Sequence, residues 1–498
     1  MASSLTKAPA KDPGTRTFFG HPRGLATLFM TEMWERFSFY GMRALLVLYL
    51  TAQVADGGLA MKAATATALY SVYNATVYLL ALPGGWFGDR VWGPRKTVAV
   101  AGAVIMVGHF LLAVPVQASF FAGLVFIAAG SGLLKANIST MVGHLYDGPQ
   151  DPRRDGGFTV FYMGINIGAF LAPLTIGTVG QKVDWHLGFA MAGVGMALGL
   201  VQFLVGTRHL SARSSLVPNP LSAEERTAAV RRIALGAALA AVFYGALALS
   251  DIFTIDWVLW PLSIGGIVLP GLYFARIRRD KDVTPDEHRK MSGYIWFFVA
   301  AAIFWMIFDQ SGSTMTVFAA DSTSSSLFGM NFPESWFQSL NPLYVMAFAP
   351  VIAAIWVKLG TRNPSTTVKF TMGLIGVGVS FGVMMLAMAA ASGGERVTPL
   401  WLATVYLIQT LAELCLSPVG LSVSTKLAPE KYAGQVMGLW FLAVTAGDCV
   451  AAITQLVVGD EVVGSTAYFG SQGALAVIAG LAFLVYRRKV VRLMGDVH

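Results

Sequence analysis

The stretch Gly85–Lys96 has the sequence GWFGDRVWGPRK and lies at the junction of two long apolar runs, residues 65–88 and 97–115. A helix that crosses a hydrocarbon core of about 30 Å needs about 20 apolar residues, and each run is close to that length. The charged pairs DR and RK are too polar for the core. The stretch therefore predicts a tight turn between two transmembrane helices.

The same apolar pattern recurs along all 498 residues, of which 55% are hydrophobic and only 12% charged. No strand-like alternation repeats at barrel spacing, and backbone groups in lipid must be paired within the spanning element. The sequence therefore predicts an all-α, polytopic membrane protein. Fourteen spans are expected, at residues 24–52, 65–88, 97–115, 118–143, 157–179, 186–206, 232–250, 255–275, 291–319, 338–357, 368–391, 399–424, 433–457 and 466–486.

The basic residues predict the orientation, because Lys and Arg are retained on the cytoplasmic side. All but six of the 35 Lys and Arg residues fall on the side of the N-terminus, so both termini are expected to be cytoplasmic. These short basic loops also account for the net charge of +8, and no nucleic-acid partner is expected. The six exceptions are Lys62, Lys182 and Arg396 on the opposite side and Arg36, Arg43 and Lys135 within spans.

Cys415 and Cys449 fall in predicted spans without metal-ligand spacing, so neither a disulfide framework nor a metal is expected.

Polar, charge-rich connections divide the chain. The predicted parts are a cytoplasmic tail (1–22), an N-terminal six-helix half (23–208), a cytoplasmic linker (209–231), a two-helix insert (232–277), a second cytoplasmic linker (278–290), a C-terminal six-helix half (291–488) and a cytoplasmic tail (489–498).

Two six-helix halves joined by a cytoplasmic linker are the arrangement of the major facilitator transporters, whose substrate site lies near the midplane between the halves. Gly85–Lys96 matches the facilitator loop pattern G-x-x-x-D-R-x-x-G-x-R-K at every fixed position. An ordinary basic loop would explain its Arg and Lys but not the spacing of Gly and Asp. The equivalent loop of the second half, residues 358–362, is a degenerate copy.

The first span carries Glu32, Glu35, Arg36, Tyr40 and Arg43, spaced by three or four residues, so they form one stripe along a helix face. A charged residue at the centre of a membrane helix costs roughly 2.5 to 3.5 kcal/mol on insertion scales. Such residues need a partner or a water-filled cavity. The stripe therefore predicts a polar path through the membrane.

Other spans add Lys135, Asp309 and Glu413. If Asp448 is left out because it lies nearer an end of its span, the charged residues inside the spans form an interior set of four acids and three bases. One proton would make this set neutral. Static ion pairs between helices would also account for such charges. Their clustering on one stripe, with matching charges in the other half, favours a set that takes up and releases a proton.

The motifs resemble those of one facilitator branch. Glu32–Phe37 fits E-x-x-E-R-F, residues 161–168 fit F-Y-x-x-I-N-x-G, and Phe304-Trp305 with residues 310–313, like residues 413–418, look like two further motifs of the same family. The chain thus resembles the proton-dependent oligopeptide transporters of bacterial type, with two extra central helices. The resemblance implies a proton-coupled symporter that imports di- and tripeptides across the inner membrane of a bacterium, without a cofactor and as a monomer.

The resemblance also implies roles for individual residues. Arg43 and Lys135 would receive the peptide carboxylate, and Glu413 its ammonium group. Arg43 with Asp309, and Lys135 with Glu413, would form and break as gating pairs. The implied proton-coupling set is Glu32, Glu35, Arg36, Lys135 and Glu413. The further residues expected to line the substrate site are Tyr40, Tyr78, Tyr162, Asn166, Trp305, Asn341, Ser417 and Trp440.

The sequence departs from the family pattern at three points. Phe39 stands where a second tyrosine is common, so one hydroxyl is missing. Residues 65–88 lack the histidine that animal members carry, so coupling would rest on carboxylates. Asp309 replaces the commoner Glu and reaches less far toward Arg43. His109, His144 and His186 are expected to be packed or interfacial.

Three other functions stay open at this point. Plant relatives of this family move nitrate and other anions, although the complete E-x-x-E-R motif and Glu413 argue against a purely anionic cargo. An intramembrane hydrolase would need a G-x-S-x-G, an H-E-x-x-H or paired intramembrane aspartates of protease type, and the sequence shows none of these. A receptor that does not transport would be distinguished by the absence of net flux.

Overall fold

The computed structural model describes residues 17–148 and 150–495. The parts of the two predicted tails at residues 1–16 and 496–498 lie outside the described residues. The fold is predominantly helical, as the apolar pattern predicts. One two-stranded antiparallel hairpin, β1 (Ser326–Leu327) and β2 (Met330–Asn331), was not expected from the sequence.

The helices fall into three groups along the chain. The first bundle consists of α1 (Gly24–Thr51), α2 (Ala63–Phe87), α3 (Pro94–Leu112), α4 (Gln117–Gly143), α5 (Arg154–Ala172), α6 (Thr178–Lys182) and α7 (Trp185–Gly206). The central pair is α8 (Ala223–Leu249) and α9 (Asp256–Arg279). The second bundle consists of α10 (Pro285–Phe308), α11 (Thr314–Ser322), α12 (Leu340–Leu359), α13 (Thr366–Ala391), α14 (Leu400–Leu427), α15 (Ala433–Val458) and α16 (Thr466–Val485), followed by the short α17 (Arg487–Met494).

Among the described residues, twelve helical segments are long and apolar enough to cross a membrane. The helices α1 and α2, with 28 and 25 residues, have the length but are not among the twelve. The helix α1 is not among them because it carries four charged side chains. The count of fourteen crossings and the domain boundaries predicted above stay predictions.

The buried apolar side chains form two main clusters, one drawn mainly from the first bundle and one from the second. Each bundle therefore packs around its own core. Local sequence signals start several helices: Asp184 accepts a hydrogen bond from the backbone N–H of Leu187 at the start of α7, and Thr284 with Glu287 forms a capping box at the start of α10.

The stretch Gly85–Lys96 binds the connection that follows the first bundle. The backbone oxygens of Asp89 and Arg90 accept hydrogen bonds from the N–H groups of Asn219 and Leu221, at 3.0 and 3.2 Å. Gly93 adopts φ +74°, a conformation that favours glycine. The glycine of this stretch therefore has a structural role that charge alone would not explain.

The central pair packs unevenly on the bundles. Almost all of α8 is exposed, and only Leu247 is buried. By contrast α9 packs against α15, where a Cβ atom on Gly266 would lie 2.4 Å from the sulfur of Cys449. A helix that is apolar and uncovered, as α8 is, fits a lipid environment.

Two helical segments are irregular at mid-depth. A π-helical stretch at Pro173–Gly177 connects α5 to α6, and a 3-10 turn at Asp309–Gly312 separates α10 from α11. Side chains satisfy the freed backbone groups: the Tyr406 hydroxyl donates to the Ser311 oxygen at 3.1 Å. Irregular backbone within the membrane is tolerated where protein groups pair with it. The turn at Asp309–Gly312 places Asp309 between the bundles.

Candidate functional site

The molecule has two ends. We call the end where α1 begins at Gly24 and α14 ends at Leu427 the near end, and the end where α1 finishes at Thr51 and α14 starts at Leu400 the far end. Hydrogen bonds between the bundles concentrate toward the far end. They join Gln181 to Glu334 (2.5 Å), Thr178 to Trp336 (2.8 Å), the Phe170 oxygen to Ser339 (2.8 Å), Ser71 to Gln455 (3.1 Å) and the Ala64 N–H to Asp460 (2.8 Å).

The near end is different. Within residues 17–148 and 150–495, no hydrogen bond or ion pair joins the near-end parts of α4 and α5 to those of α10 and α14. Tyr162, in the near-end part of the spanning segment Arg154–Lys182, is 46% exposed. The bundles are therefore closed against each other at the far end, whereas at the near end, in the part of the chain that the structure describes, only α2 and α15 remain packed, with Gly438 against Leu82.

The stripe predicted on α1 forms a buried charge cluster. The Arg36 Nε atom lies 3.1 Å from Glu32 Oε1 and 2.5 Å from Glu35 Oε2, and Ser131 on α4 donates to Glu35 Oε1 at 3.1 Å. All three charged residues are at most 6% exposed. Because two carboxylates share one guanidinium, the cluster is one proton short of neutrality. The helical spacing brings Glu32 and Arg36 together, and Ser131 joins the cluster from α4.

Arg43, two turns further along α1, connects the bundles. Its Nη2 atom donates to Asp309 Oδ1 at 3.1 Å, and its Nε atom donates to the hydroxyl of Tyr70 on α2. The guanidinium carbon also lies 5.1 Å from the ring centre of Tyr70 and 5.7 Å from that of Tyr40. The expected Arg43–Asp309 pair is thus formed, in spite of the shorter aspartate side chain.

A further carboxyl group, that of Asp448, lies beside the pair formed by Arg43 and Asp309. Asp448 on α15 is 1% exposed and accepts a hydrogen bond of 2.7 Å from Asn74 Nδ2 on α2. Its carboxyl group is within hydrogen-bonding reach of Asp309. The decision to leave Asp448 out of the interior set was therefore wrong, because Asp448 lies well inside α15 and faces the first bundle. The sequence signal that indicates Asp448 is an acidic residue inside an apolar run.

We call Arg43, Asn74, Asp309 and Asp448 the far gate, since these four residues join α1 and α2 to the second bundle. Tyr70 supports it from α2. The sequence analysis missed Tyr70 and Asn74, because neutral polar residues in a helix with small and aromatic neighbours give no distinctive pattern.

The second expected pair, Lys135 with Glu413, is not formed. The Lys135 Nζ atom lies 3.4 Å from the ring centre of Tyr78, and Asn341 Nδ2 donates to the Glu413 carboxylate at 3.1 Å. Both charged side chains are only partly buried. Each is therefore held by a neighbour in its own bundle and remains open to a ligand between the bundles.

The remaining expected lining residues take several positions. Tyr40, Trp305 and Ser417 are partly buried, and Asn166 is buried with its amide donating to the Tyr162 oxygen at 3.0 Å. Trp440 is only 6% exposed. Its ring covers Gly420 on α14, where a Cβ atom would lie 1.9 Å from the indole. Trp440 therefore forms packed wall rather than open surface.

Three histidines are packed, as expected. His109 is completely buried in α3, His144 is bonded to Ser214 at 3.1 Å, and His186 is bonded to the Leu112 oxygen at 3.0 Å. None of these three lies among the charged residues between the bundles.

Comparison with known proteins places this arrangement in a family. The model of the POT family matches residues 95–467. The chain belongs to the POT family. Relatives include an uncharacterized transporter of Bacillus subtilis (strain 168), 43% identical over the full length of both chains, and a di-/tripeptide transporter of Lactococcus lactis subsp. cremoris, 41% identical over 97% of this chain and 98% of the relative.

Solved structures of POT proteins share the fold along the whole molecule. The crystal structure of a peptide transporter POT in complex with sulfate is 45% identical, covers 96% of this chain and 97% of its own, and superimposes with a TM-score of 0.92. The recognition of the family from Glu32–Phe37 and the later motifs is thereby confirmed. The chain is a multi-pass member of a bacterial transporter family.

Proposed function

We propose that this protein is a proton-coupled symporter that imports di- and tripeptides by alternating access. The observation that carries the proposal is the placement of opposite charges: Lys135 and Arg43 are on the first bundle, and Glu413 is on the second. A zwitterionic peptide carries a carboxylate and an ammonium group at a fixed separation, so it would bridge the bundles. The name of the Lactococcus lactis relative, a di-/tripeptide transporter, agrees with this cargo.

Charge-selected termini would permit broad specificity. Side-chain pockets near Tyr162, Asn166 and Trp305 need only be roomy, because the two charged ends fix the peptide and its length. A purely anionic cargo would leave Glu413 facing it without compensation, which is unfavourable. Of the two kinds of cargo carried by this family, a peptide therefore fits better.

The two expected pairs support alternating access. With the far end closed, Arg43 is engaged by Asp309, whereas Lys135 and Glu413 are apart. Opening the far end would release Arg43 to a peptide carboxylate, and closing the near end would bring Lys135 toward Glu413. The same rigid bundles would thus exchange one pair for the other.

Protons would drive the cycle through the α1 cluster. Glu32 and Glu35 share Arg36, so one proton neutralises the cluster, and Lys135 is close enough to sense the change. The basic loops support an orientation with the near end cytoplasmic, fourteen crossings and insertion in the inner membrane. We propose that the monomer is the functional unit, because each bundle has its own core and the expected site lies within one chain.

Uptake into proteoliposomes tests the proposal. Labelled dialanine should accumulate under an inward proton gradient, and nitrate should not compete with it. Accumulation of no peptide by folded protein would refute the peptide assignment, and competition by nitrate would favour the anion carrier.

Glu413→Gln tests the ammonium site. A hydrogen bond to a charged group contributes about 1.5 to 3 kcal/mol, so dialanine binding should weaken about tenfold or more, whereas N-acetyl-dialanine should bind wild type and variant alike. Glu395→Gln, which neutralises an exposed carboxylate of the second bundle, is the matched control and should leave both affinities unchanged. Equal loss for both ligands would contradict the assignment.

A further inference from the structure

Two carboxyl groups, those of Asp309 and Asp448, meet in the far gate, and one cation, Arg43, is paired with Asp309 alone. Arg43 donates to Asp309 Oδ1 at 3.1 Å, and Asp448 approaches Asp309 from α15. Asp309 and Asp448 are 5% and 1% exposed. Water therefore cannot screen a repulsion between two ionised carboxylates at this place.

The hydrogen bonds around the pair leave one position unfilled. Among the described residues, Asp309 Oδ2 is buried and receives no hydrogen bond. Asp448 already accepts from Asn74 at 2.7 Å and has no cation of its own. A proton on Asp448 would be donated toward Asp309, which would satisfy the buried oxygen and remove the repulsion at once.

Among the residues that the structure describes, no Lys, Arg or His lies within ion-pair distance of Asp448, and Lys135 acts on Asp309 only from further away than Arg43. The groups facing it are Arg43 on α1, Asn74 and Tyr70 on α2, and Asp309 in the turn after α10. On the other side α9 presents Leu262 and Gly266 to the neighbouring Cys449, and neither is titratable. Arg43 thus has to balance two acids, of which it can neutralise one.

We propose that Asp448 is the proton-sensing residue of the far gate, and that the far end closes only when Asp448 carries a proton. This inference rests on the proposed transport cycle and adds a residue to it. The contacts of Asp448 cross from one bundle to the other, so it is reached by water from the far side only after the bundles separate. Asp448 would therefore bind its proton from the far compartment and lock the gate as the bundles close.

The proposal predicts how strongly the gate responds to pH. If one proton is bound in the closed state and not in the open state, the ratio of closed to open molecules changes about tenfold per pH unit above the titration midpoint. Acidification should close the far end, and alkalinisation should open it.

Spin labels across the far end measure this ratio without any peptide. Val54 follows α1 and Leu400 begins α14, and both are exposed at the far end on different bundles. The native Cys415 and Cys449 are buried, so labels can be directed to cysteines introduced at positions 54 and 400. Pulsed dipolar distances are recorded from pH 5 to pH 9 in lipid nanodiscs.

In wild type, the short-distance fraction should fall as the pH rises. Asp448→Asn keeps an amide donor facing Asp309 and cannot ionise, so its short-distance fraction should stay high at every pH. Asp448→Glu retains a titratable group and should restore pH dependence, which a merely structural role would not explain. Asp460→Asn removes the charge of another carboxylate that accepts a hydrogen bond across the bundles, with a side chain 40% exposed, and should keep the wild-type pH dependence.

Retention of the wild-type pH dependence by Asp448→Asn would overturn the proposal, as would a wild-type gate that does not respond to pH. If Asp448→Asn does not fold, loss of pH dependence in Asp448→Glu would overturn it as well. Because no peptide is present, either failure leaves the proposed peptide transport untouched. A gate that responds as predicted in a protein that takes up no peptide would instead refute the proposed function alone.

Discussion

Removal of Arg43 should open the far end more than removal of its partner Asp309. Arg43→Gln leaves Asp309 and Asp448 facing each other without a cation. Loss of one partner from a buried ion pair typically costs about 3 to 5 kcal/mol. Because these contacts exist only with the far end closed, the closed state should lose more than a hundredfold in population.

Asp309→Asn should have a smaller effect, since the charge of an ionised Asp448 then balances that of Arg43, and Tyr70 remains bonded to the guanidinium. We expect a shift of about 1 to 3 kcal/mol, the range for leaving a buried polar group without its partner. The double variant Arg43→Gln/Asp309→Asn should be closer to wild type than Arg43→Gln alone, because it removes the Asp309 carboxylate that Arg43→Gln leaves without a cation.

The labels at positions 54 and 400 report these populations directly. All variants are compared at one pH in the same lipid, so that the protonation of Asp448 starts from one condition. The reasoning would be refuted if Asp309→Asn opened the far end as much as Arg43→Gln. It would also fail if the double variant were the most open of the three.

Three further predictions concern other parts of the molecule. Gly420→Leu should displace the Trp440 ring toward the space between the bundles and reduce uptake of dipeptides with large side chains more than uptake of dialanine, measured by competition. Gly93→Ala should loosen the connection after the first bundle, because φ +74° with ψ 154° is a conformation that costs residues other than glycine about 1 to 3 kcal/mol. Limited proteolysis of residues 207–222 should become faster. Hydrogen bonds from Lys431 and a neighbouring tyrosine lower the pKa of Asp280. This contact between the end of α9 and the start of α15 should therefore persist from neutral pH to about pH 4 and weaken as the pH falls further. Hydrogen exchange at these two helix ends would show the change.

Each of these predictions has a contrasting outcome. Equal loss for small and large dipeptides in Gly420→Leu would mean that the wall formed by Trp440 does not shape a side-chain pocket. Unchanged proteolysis of Gly93→Ala would mean that the glycine conformation does not hold the connection. Asp282→Asn is the control for Asp280: its side chain is far more exposed and also meets Lys431, so the low-pH exchange at the end of α9 should change less than in Asp280→Asn.

The helices and the α1 cluster could be predicted because their causes are local. Apolar length predicts spans, and capping residues such as Thr284 mark where helices begin. Spacing by three and four residues places Glu32, Glu35 and Arg36 on one face of one helix, whatever the rest of the chain does. The family motifs added the identity of the charged groups expected in the other bundle.

The far gate could not be predicted to the same degree. Arg43 and Asp309 are 266 positions apart, and Asn74 and Asp448 are 374 apart. Their meeting depends on how two independently packed bundles approach each other and on the turn that ends α10. A rule based on distance from the end of a span therefore misplaced Asp448.

The sequence by itself determined the helical membrane architecture, the polar stripe of α1 and membership of the POT family, because hydropathy, helix periodicity and motif spacing are carried by neighbouring residues. Only the tertiary structure decided which charges are paired: Arg43 holds Asp309, whereas Lys135 and Glu413 are apart. The physical reason is that both pairings are compatible with the same sequence, and the relative position of two rigid bundles selects between them.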